Sequence, residues 1–292
     1  MPSEERLLKR VDLHMHTTHS DGTLTPEELV KRAKLRNVDC VALTDHDTVS
    51  GIREAKEAGA RLGVEVIAGV EISVIFPPGT MHILGYFVDT ANETLLNGLK
   101  LVQDARLKRN PMIIEKLNKL GIKITLDEVI AESGGDQIGR PHFARVLIKK
   151  GYAQDAQDAF NKFLAKGSPA YVDKRNITSE TAIRMIHAAG GVASLAHPKQ
   201  TKLKEAKDFE AEIAKLADQG LNGLEVFSSC QSRDEAAYYK QVADRFGLIT
   251  TGGSDFHGDN RPNVDLGWMG EGACLYYDTI DSLRSKTSSA RK

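Results

Sequence analysis

The sequence predicts an α/β barrel of seven strands, interrupted by a helical insertion. Three observations predict it. Strand-like apolar runs alternate with amphipathic helical stretches through residues 1–93 and again through 177–283. Between 94 and 176, helical patterns follow one another with no strand between them. The apolar runs also carry histidines and carboxylates at or just past one end. Repeated βα alternation implies parallel strands with crossover helices. In a barrel the C-terminal ends of such strands open onto one face, whereas in an open sheet they spread along an edge. A shared ligand cup therefore favours the barrel.

The elements follow in order. Residues 11–16 form the first run, with Ser20-Asp21-Gly22 behind it. Thr25 caps a helix that has Pro26 at its first position, Glu27 and Glu28 in its first turn, and an end near Arg36. Residues 38–44 end in Asp45-His46-Asp47, and 50–63 form a second amphipathic helix. Residues 64–74 carry Glu71, and 81–88 open with His82. The insertion holds helical stretches at 95–120, from Thr125, and over 142–149 and 155–163. Alternation resumes with a helix at 178–189 and a strand at 191–196 ending in His197-Pro198. Residues 221–227 carry Glu225 and no histidine, and 248–253 end in Ser254-Asp255-Phe256-His257. Later helices span 209–218 and 232–246. The polar, basic stretch 284–292 is expected to be a disordered tail.

At 292 residues the chain can hold one large domain with an insertion. Its net charge of −1 creates no global field toward nucleic acid or membrane, so an anionic substrate must be held by local charge. Near-zero charge and 6% aromatics also disfavour RNA binding without cleavage. Cys40, Cys230 and Cys274 are isolated, with no CxxC, which argues against a disulfide framework and for a reducing compartment. Cys40, inside an apolar run, reads as a buried small hydrophobe. The first ten residues have no apolar core of a signal peptide, and no apolar stretch reaches the ~18 residues of a membrane span. A cytoplasmic protein is expected, with no membrane and no stable protein partner.

His14 and His16 are two apart on a strand, so both imidazoles face the same side. Asp255 and His257 repeat that spacing. Glu71 can bridge two ions with its two oxygens, and His46, His82 and His197 add three nitrogens. Six of the nine histidines take strand-end positions, leaving His19, His142 and His187. One strand-end histidine alone is usually structural; the ordered set is what a multinuclear metal site needs. Mixed His and carboxylate donors suit manganese, iron or zinc. Asp47 reads as turn and cap chemistry. Asp45 reads as a partner for an imidazole N–H, as ligating histidines usually have.

The runs DLHMHTTHSDG, LTDHDT, GVEIS, MHILGY, LAHP and GSDFH resemble the PHP (polymerase and histidinol phosphatase) family. The resemblance covers essentially the whole chain. It implies a distorted (β/α)7 TIM-like barrel holding two or three divalent ions. By motif, one ion takes His14, His16, Glu71 and Asp255. A second shares Glu71 and adds His82 and His197, and a third takes Asp21, His46 and His257. Asp21 matches the pattern better than His19, which is read as a surface residue. The implied reaction is phosphate-ester hydrolysis by in-line attack, with Asp255, Glu71, His197 and Asp45 as the catalytic set.

Length, insertion and the run IGRPHFARVL resemble the branch acting on nucleoside 3′,5′-bisphosphates and on short RNA from the 5′ end. In that branch a 5′-phosphate is held and the bond at the 3′-oxygen is cut. The insertion then acts as a substrate cap, with Arg140 and His142 first, and Lys166 and Tyr171 next, as substrate-binding residues. The chain departs from the branch at Ser168 and at Lys199-Gln200; Lys166, Lys199 or Arg261 is the basic residue nearby. The alternatives are a histidinol-phosphate-type or other small phosphomonoester phosphatase, a metal-dependent amidohydrolase, and a metal-binding module without activity.

Overall fold

The computed structural model describes residues 8–133, 137–173, 177–270 and 273–289. The elements of the barrel are β1 (Arg10–Asp12), α1 (Pro26–Leu35), β2 (Cys40–Leu43), α2 (Ile52–Leu62), β3 (Glu65–Val74) and β4 (Met81–Tyr86). The inserted segment follows with α3 (Glu93–Lys119), α4 (Leu126–Ser133), α5 (Arg140–Lys149) and α6 (Ala156–Ala159), the last continuing into a π-turn, Phe160–Leu164. Then come α7 (Ser179–Ala188), β5 (Val192–Leu195), α8 (Ala206–Asp218), β6 (Gly223–Ser228), α9 (Arg233–Arg245), β7 (Ile249–Gly253), β8 (Leu275–Tyr276) and α10 (Tyr277–Ser289). Among the described residues, no helix is long and apolar enough to cross a membrane.

Local chemistry sets several of these boundaries. Thr25 Oγ1 accepts the Glu28 N–H while the Glu28 carboxylate takes the Thr25 N–H, a reciprocal cap that satisfies two otherwise unpaired donors. α2 stops at Gly63, whose φ of 69° an L side chain resists. Along β2 the side chains alternate: Cys40 and Ala42 belong to one core, Val41 and Leu43 to the other that packs on α1 and α2.

The strands run in the order β7-β6-β5-β4-β3-β2-β1-β8. β8 is a short antiparallel addition to β1. Beyond β1, the chain pairs with the end of β7: Leu13 N donates to Gly252 O at 3.2 Å, Asp255 N to His14 O at 2.8 Å, and His16 N to Phe256 O at 2.9 Å. Buried Asp12 staples the closure by accepting from Ser254 N at 2.9 Å and Gly267 N at 2.7 Å. The seven main strands thus form a nearly closed barrel.

The expectation of parallel strands throughout is corrected at β4, which is antiparallel to both β3 and β5. The physical reason is reach. Only residues 75–80 separate β3 from β4, enough for a hairpin but short of the dozen or so residues of a parallel crossover. The reversal explains why His82 opens its strand. It pairs with Ser73 near the end of β3, and so lies on the rim that the other strands reach with their C-terminal ends.

The chain end differs from the predicted tail as well. α10 runs to Ser289 because Ile280 and Leu283 are fully buried in the core that contains Leu13, Leu84 and Tyr86. Arg284 adds an ion pair with Glu65. Residues 290–292 of that expectation lie outside the described residues.

The inserted helices have a core of their own around Ile113, Leu117, Phe143, Leu147 and Leu164. α3 serves both cores: its Leu95 and Leu99 pack with the barrel, its Ile113 and Leu117 with the cap. At ~1.5 Å per residue it is long enough to span the two.

Gly253 is the tight point of closure. A Cβ there would collide with the backbone N and the Cβ of His14. Gly253→Ala is therefore expected to lower unfolding free energy by about 1–3 kcal/mol, the cost of overpacking a dense core. Urea denaturation checks this; an unchanged midpoint would show that the β1–β7 seam has slack.

Candidate metal centre

The rim of the barrel gathers every predicted ligand. His14 and His16 extend from β1 and are fully buried. Asp21 is brought in by the turn that follows. That turn is held by Asp45, whose Oδ1 accepts from Thr17 N at 2.7 Å and Ser20 Oγ at 2.6 Å, and whose Oδ2 accepts from Thr17 Oγ1 at 2.6 Å. This corrects the expectation for Asp45: its oxygens are taken by the turn, and it reaches the centre only through Ser20 Oγ, 3.3 Å from His16 Nδ1. His46 follows β2 and bridges to Glu71 of β3. His197 and Asp255 follow β5 and β7 with φ of 25° and 56°, and Asp47 has φ 56°. Such backbone costs of order 1–3 kcal/mol per residue and is found where surrounding structure forces a functional geometry.

Three groups of donor atoms result. The Nε2 atoms of His14 and His16 lie 3.3 and 3.2 Å from Glu71 Oε2, and 3.5 and 3.4 Å from Asp255 Oδ1. Donors about 2.0–2.2 Å from one ion are separated from each other by roughly 3.0–3.5 Å, so these four atoms fit one shell. Glu71 Oε1 is 2.8 Å from both His82 Nδ1 and His197 Nε2. Asp21 faces His257 Nε2 at 3.4 Å and His46 Nε2 at 3.8 Å. His46 is more central than its motif assignment implies, because its Nδ1 is also 2.9 Å from Glu71 Oε2.

The donor set fits divalent ions by an independent criterion. His14 Nε2, His16 Nε2, Asp21 Oδ1, His46 Nδ1, Glu71 Oε2 and His197 Nδ1 are all buried without a hydrogen-bond partner. Each such atom costs about 1–3 kcal/mol. A cluster of them, all imidazole or carboxylate, is a site built for cations.

Charge follows from burial and neighbours. Burial alone would raise Glu71, but His46, His82 and His14 hold it well below the usual carboxylate range. Asp21 and Asp255 are likewise lowered against burial, by His46 and His257 for the first and by Arg261 and His14 for the second. Burial pushes His82 down to about 3. For His16 burial is outweighed by the adjacent Asp255 and Glu71 carboxylates, which lift it to about 9. Protons on such imidazoles occupy the place of cations, and metal binding releases them.

One buried acid was noted in the sequence and given no role. Glu225, in the middle of β6, is 2.8 Å from His14 Nδ1 through Oε1 and accepts the His197 backbone N–H through Oε2. It fixes His14 so that Nε2 faces the ligand cluster. Its signal was an acid inside an apolar run, without a neighbouring histidine to mark it. His19, by contrast, pairs through Nδ1 with Ser50 Oγ at 2.7 Å and joins none of the ligand groups.

A cavity of about 460 Å³ lies over the cluster, bounded by Asp21, His46, His82 and His257 below and by the cap above. Arg140 lines it, its guanidinium 5.4 Å from the Tyr171 ring and 5.9 Å from Phe160, with Nη1 on Leu164 O at 3.1 Å. The other predicted substrate residues are placed differently. His142 is fully buried, and its Nδ1 accepts the Gly139 N–H at 2.8 Å, capping α5. Burial pushes it down to about 4, so it is neutral. Lys166 donates to Pro77 O at 2.7 Å, and Tyr171 OH donates to Asp173. None of these three is on the cavity wall.

Two arginines of α3 were missed. Arg106 lines the cavity and is ion-paired with Asp47, which also accepts from Ser73 N at 2.7 Å. Asp47 is thus an anchor for Arg106 and not merely a turn residue. Arg109 binds Asn110 Oδ1 through Nε and Nη2, while its Nη1 is buried without a partner. Burial, then Arg106 and Arg140, pushes it down to about 9. The signal was two arginines three apart on one helix face, among apolar positions that the structure buries.

Glu225→Gln is expected to weaken metal binding about 10–100-fold, the usual loss when a ligand's outer partner is removed. Competition with a chelator reads this directly; wild-type affinity would take Glu225 out of the centre.

A model for the PHP domain matches residues 12–173. The 3′,5′-nucleoside bisphosphate phosphatase of Chromobacterium violaceum is 37% identical over 261 residues, covering 89% of this chain and 91% of that protein. The 5′-3′ exoribonuclease of Haemophilus influenzae is 36% identical over 277 residues, covering 95% and 97%. A solved structure from Bifidobacterium adolescentis superposes with a TM-score of 0.86 at 30% identity, covering 96% of each chain. Matched over more than half its length by that domain model, and 37% identical to a relative it covers almost entirely, this chain belongs to the PHP domain family.

Proposed function

We propose that this chain cuts the 3′-phosphoester bond of nucleotides that carry a 5′-phosphate. The substrates are nucleoside 3′,5′-bisphosphates and short 5′-phosphorylated oligoribonucleotides, the latter trimmed from the 5′ end. The chain is a metal-dependent phosphoesterase, as the relationship to a phosphatase and an exoribonuclease over most of its length requires. The observation that carries the finer reading is a single cavity with ion ligands on one wall and Arg140, with Arg106, on the other.

His14, His16, Asp21, His46, Glu71, His82, His197, Asp255 and His257 would hold two or three divalent ions, of manganese, zinc or iron. Divalent ions held there acidify water and neutralise charge building on phosphoryl oxygens. The protein's own groups do the rest. Glu225 sets the His14 ring through Nδ1. Arg140, over the rings of Tyr171 and Phe160, presents a guanidinium to the 5′-phosphate. Arg109 adds positive charge close enough to Arg140 to be felt by it, and Arg106, neutralised in part by Asp47, lines the same cavity. Gripping a part of the substrate remote from the reacting bond places that bond over the cluster. All three cysteines are free, which supports a cytoplasmic enzyme.

Phosphate release from adenosine 3′,5′-bisphosphate, with 3′-AMP alongside, tests the reading. Release from the bisphosphate alone supports the 5′-phosphate pocket; equal turnover of both would make the chain a general phosphomonoesterase. Arg140→Ala is expected to raise KM for the bisphosphate about 10–100-fold, the worth of a hydrogen bond to a charged group, while changing 3′-AMP little. Equal effects on the two would remove Arg140 from the 5′-phosphate. Asp255→Ala is expected to abolish turnover and to reduce bound metal per chain, measured by elemental analysis. Substantial residual activity would take Asp255 out of the ligand set.

A further inference from the structure

The cavity has a second cationic pole on the barrel side. Arg261 follows the short turn Gly258–Asn260, just past His257. Its Nη1 forms an ion pair with Asp255 Oδ2 and reaches the Asp255 carbonyl at 3.3 Å. Only that corner of the guanidinium is engaged. Among the described residues, Nε and Nη2 make no hydrogen bond, and 36% of the side chain is exposed. Arg261 lines the cavity shared by Asp21, His46, His82 and Arg140. Holding Asp255 would need Nη1 alone. The unused Nε–Nη2 edge is the one that grips two oxygens of a phosphate side by side.

The geometry points to Arg261 as a specificity-determining residue that favours a terminal phosphomonoester over an internal phosphodiester at the bond to be cut. This inference rests on the function proposed above and divides its two substrate classes. A 3′-phosphomonoester carries up to two negative charges on three terminal oxygens. A diester carries one charge on two terminal oxygens, because the third is esterified to the next nucleotide and accepts hydrogen bonds poorly. A cationic fork beside Asp255 therefore has more to hold in the bisphosphate than in the oligonucleotide. Arg140 cannot make this distinction, because both substrates offer it the same 5′-phosphate. Arg261 stands next to the ion ligands, where the two substrates differ.

The test compares wild type, Arg261→Gln and Arg261→Lys on adenosine 3′,5′-bisphosphate and on a 5′-phosphorylated diadenylate, with metal per chain measured for each. Glutamine keeps an N–H donor near Asp255 and removes the charge; lysine keeps the charge and removes the fork. Arg261→Gln is expected to lower the kcat/KM ratio of bisphosphate over dinucleotide by about 10–100-fold, with metal content as in wild type. Arg261→Lys should lie between the two. An equal fall on both substrates, or loss of metal, would overturn the proposal by showing that Arg261 only supports Asp255. If the glutamine variant does not fold, an unchanged ratio in the lysine variant overturns it just as well. Wild type that turns over neither substrate would instead remove the function on which the inference rests.

Discussion

The barrel is sealed by one close approach, the backbone of His14 against Gly253. Everything at the centre depends on that seam. Hydrogen bonds across it set the extension of β1 beside the extension of β7. His14 and His16 then stand opposite Asp255 and His257, two pairs with the same period on adjacent strands. Asp12 locks the register from beneath by binding Ser254 and Gly267. With one seam fixed, Glu71 needs only to arrive from β3 to divide its two oxygens between neighbouring ligand groups.

Much of this was legible in the sequence because strand geometry is simple. Side chains two apart on a strand share a face, which pairs His14 with His16; Asp255 and His257 meet the cluster by another route, past the end of β7 and with Asp255 at φ 56°. The cap at Thr25 was equally local. Strand direction was not legible from periodicity, which is the same for a strand read either way. Only the shortness of 75–80 betrayed the turn-back of β4. Asp45 misled because an acid beside a ligating histidine can face the ring or the loop, and in a strand-end turn the loop has more donors. The tail misled because polar composition hides Ile280 and Leu283, whose burial carries the last helix onward.

The arginines show the limit more sharply. Arg106 and Arg109 are ordinary residues of a long helix until a fold brings Asp47 to one and Arg140 near the other. Asp47 and Arg140 lie on other elements, and no short window along the chain holds them together with Arg106 and Arg109. Lys166 and Tyr171 are the converse. Their residue types suit a phosphate pocket, yet Lys166 donates to Pro77 O away from the cavity wall and the Tyr171 ring lies under the Arg140 guanidinium.

α3 has a further consequence for how such a protein can change over evolutionary time. Its first turns are part of the barrel core and its last turns part of the cap core, with Arg106 and Arg109 between them. The cap is therefore not a separable cassette. A recombination breakpoint that exchanges it must cut through a continuous helix and divide two hydrophobic interiors. New substrate preferences in this architecture are easier to reach by point changes on existing walls than by swapping the lid.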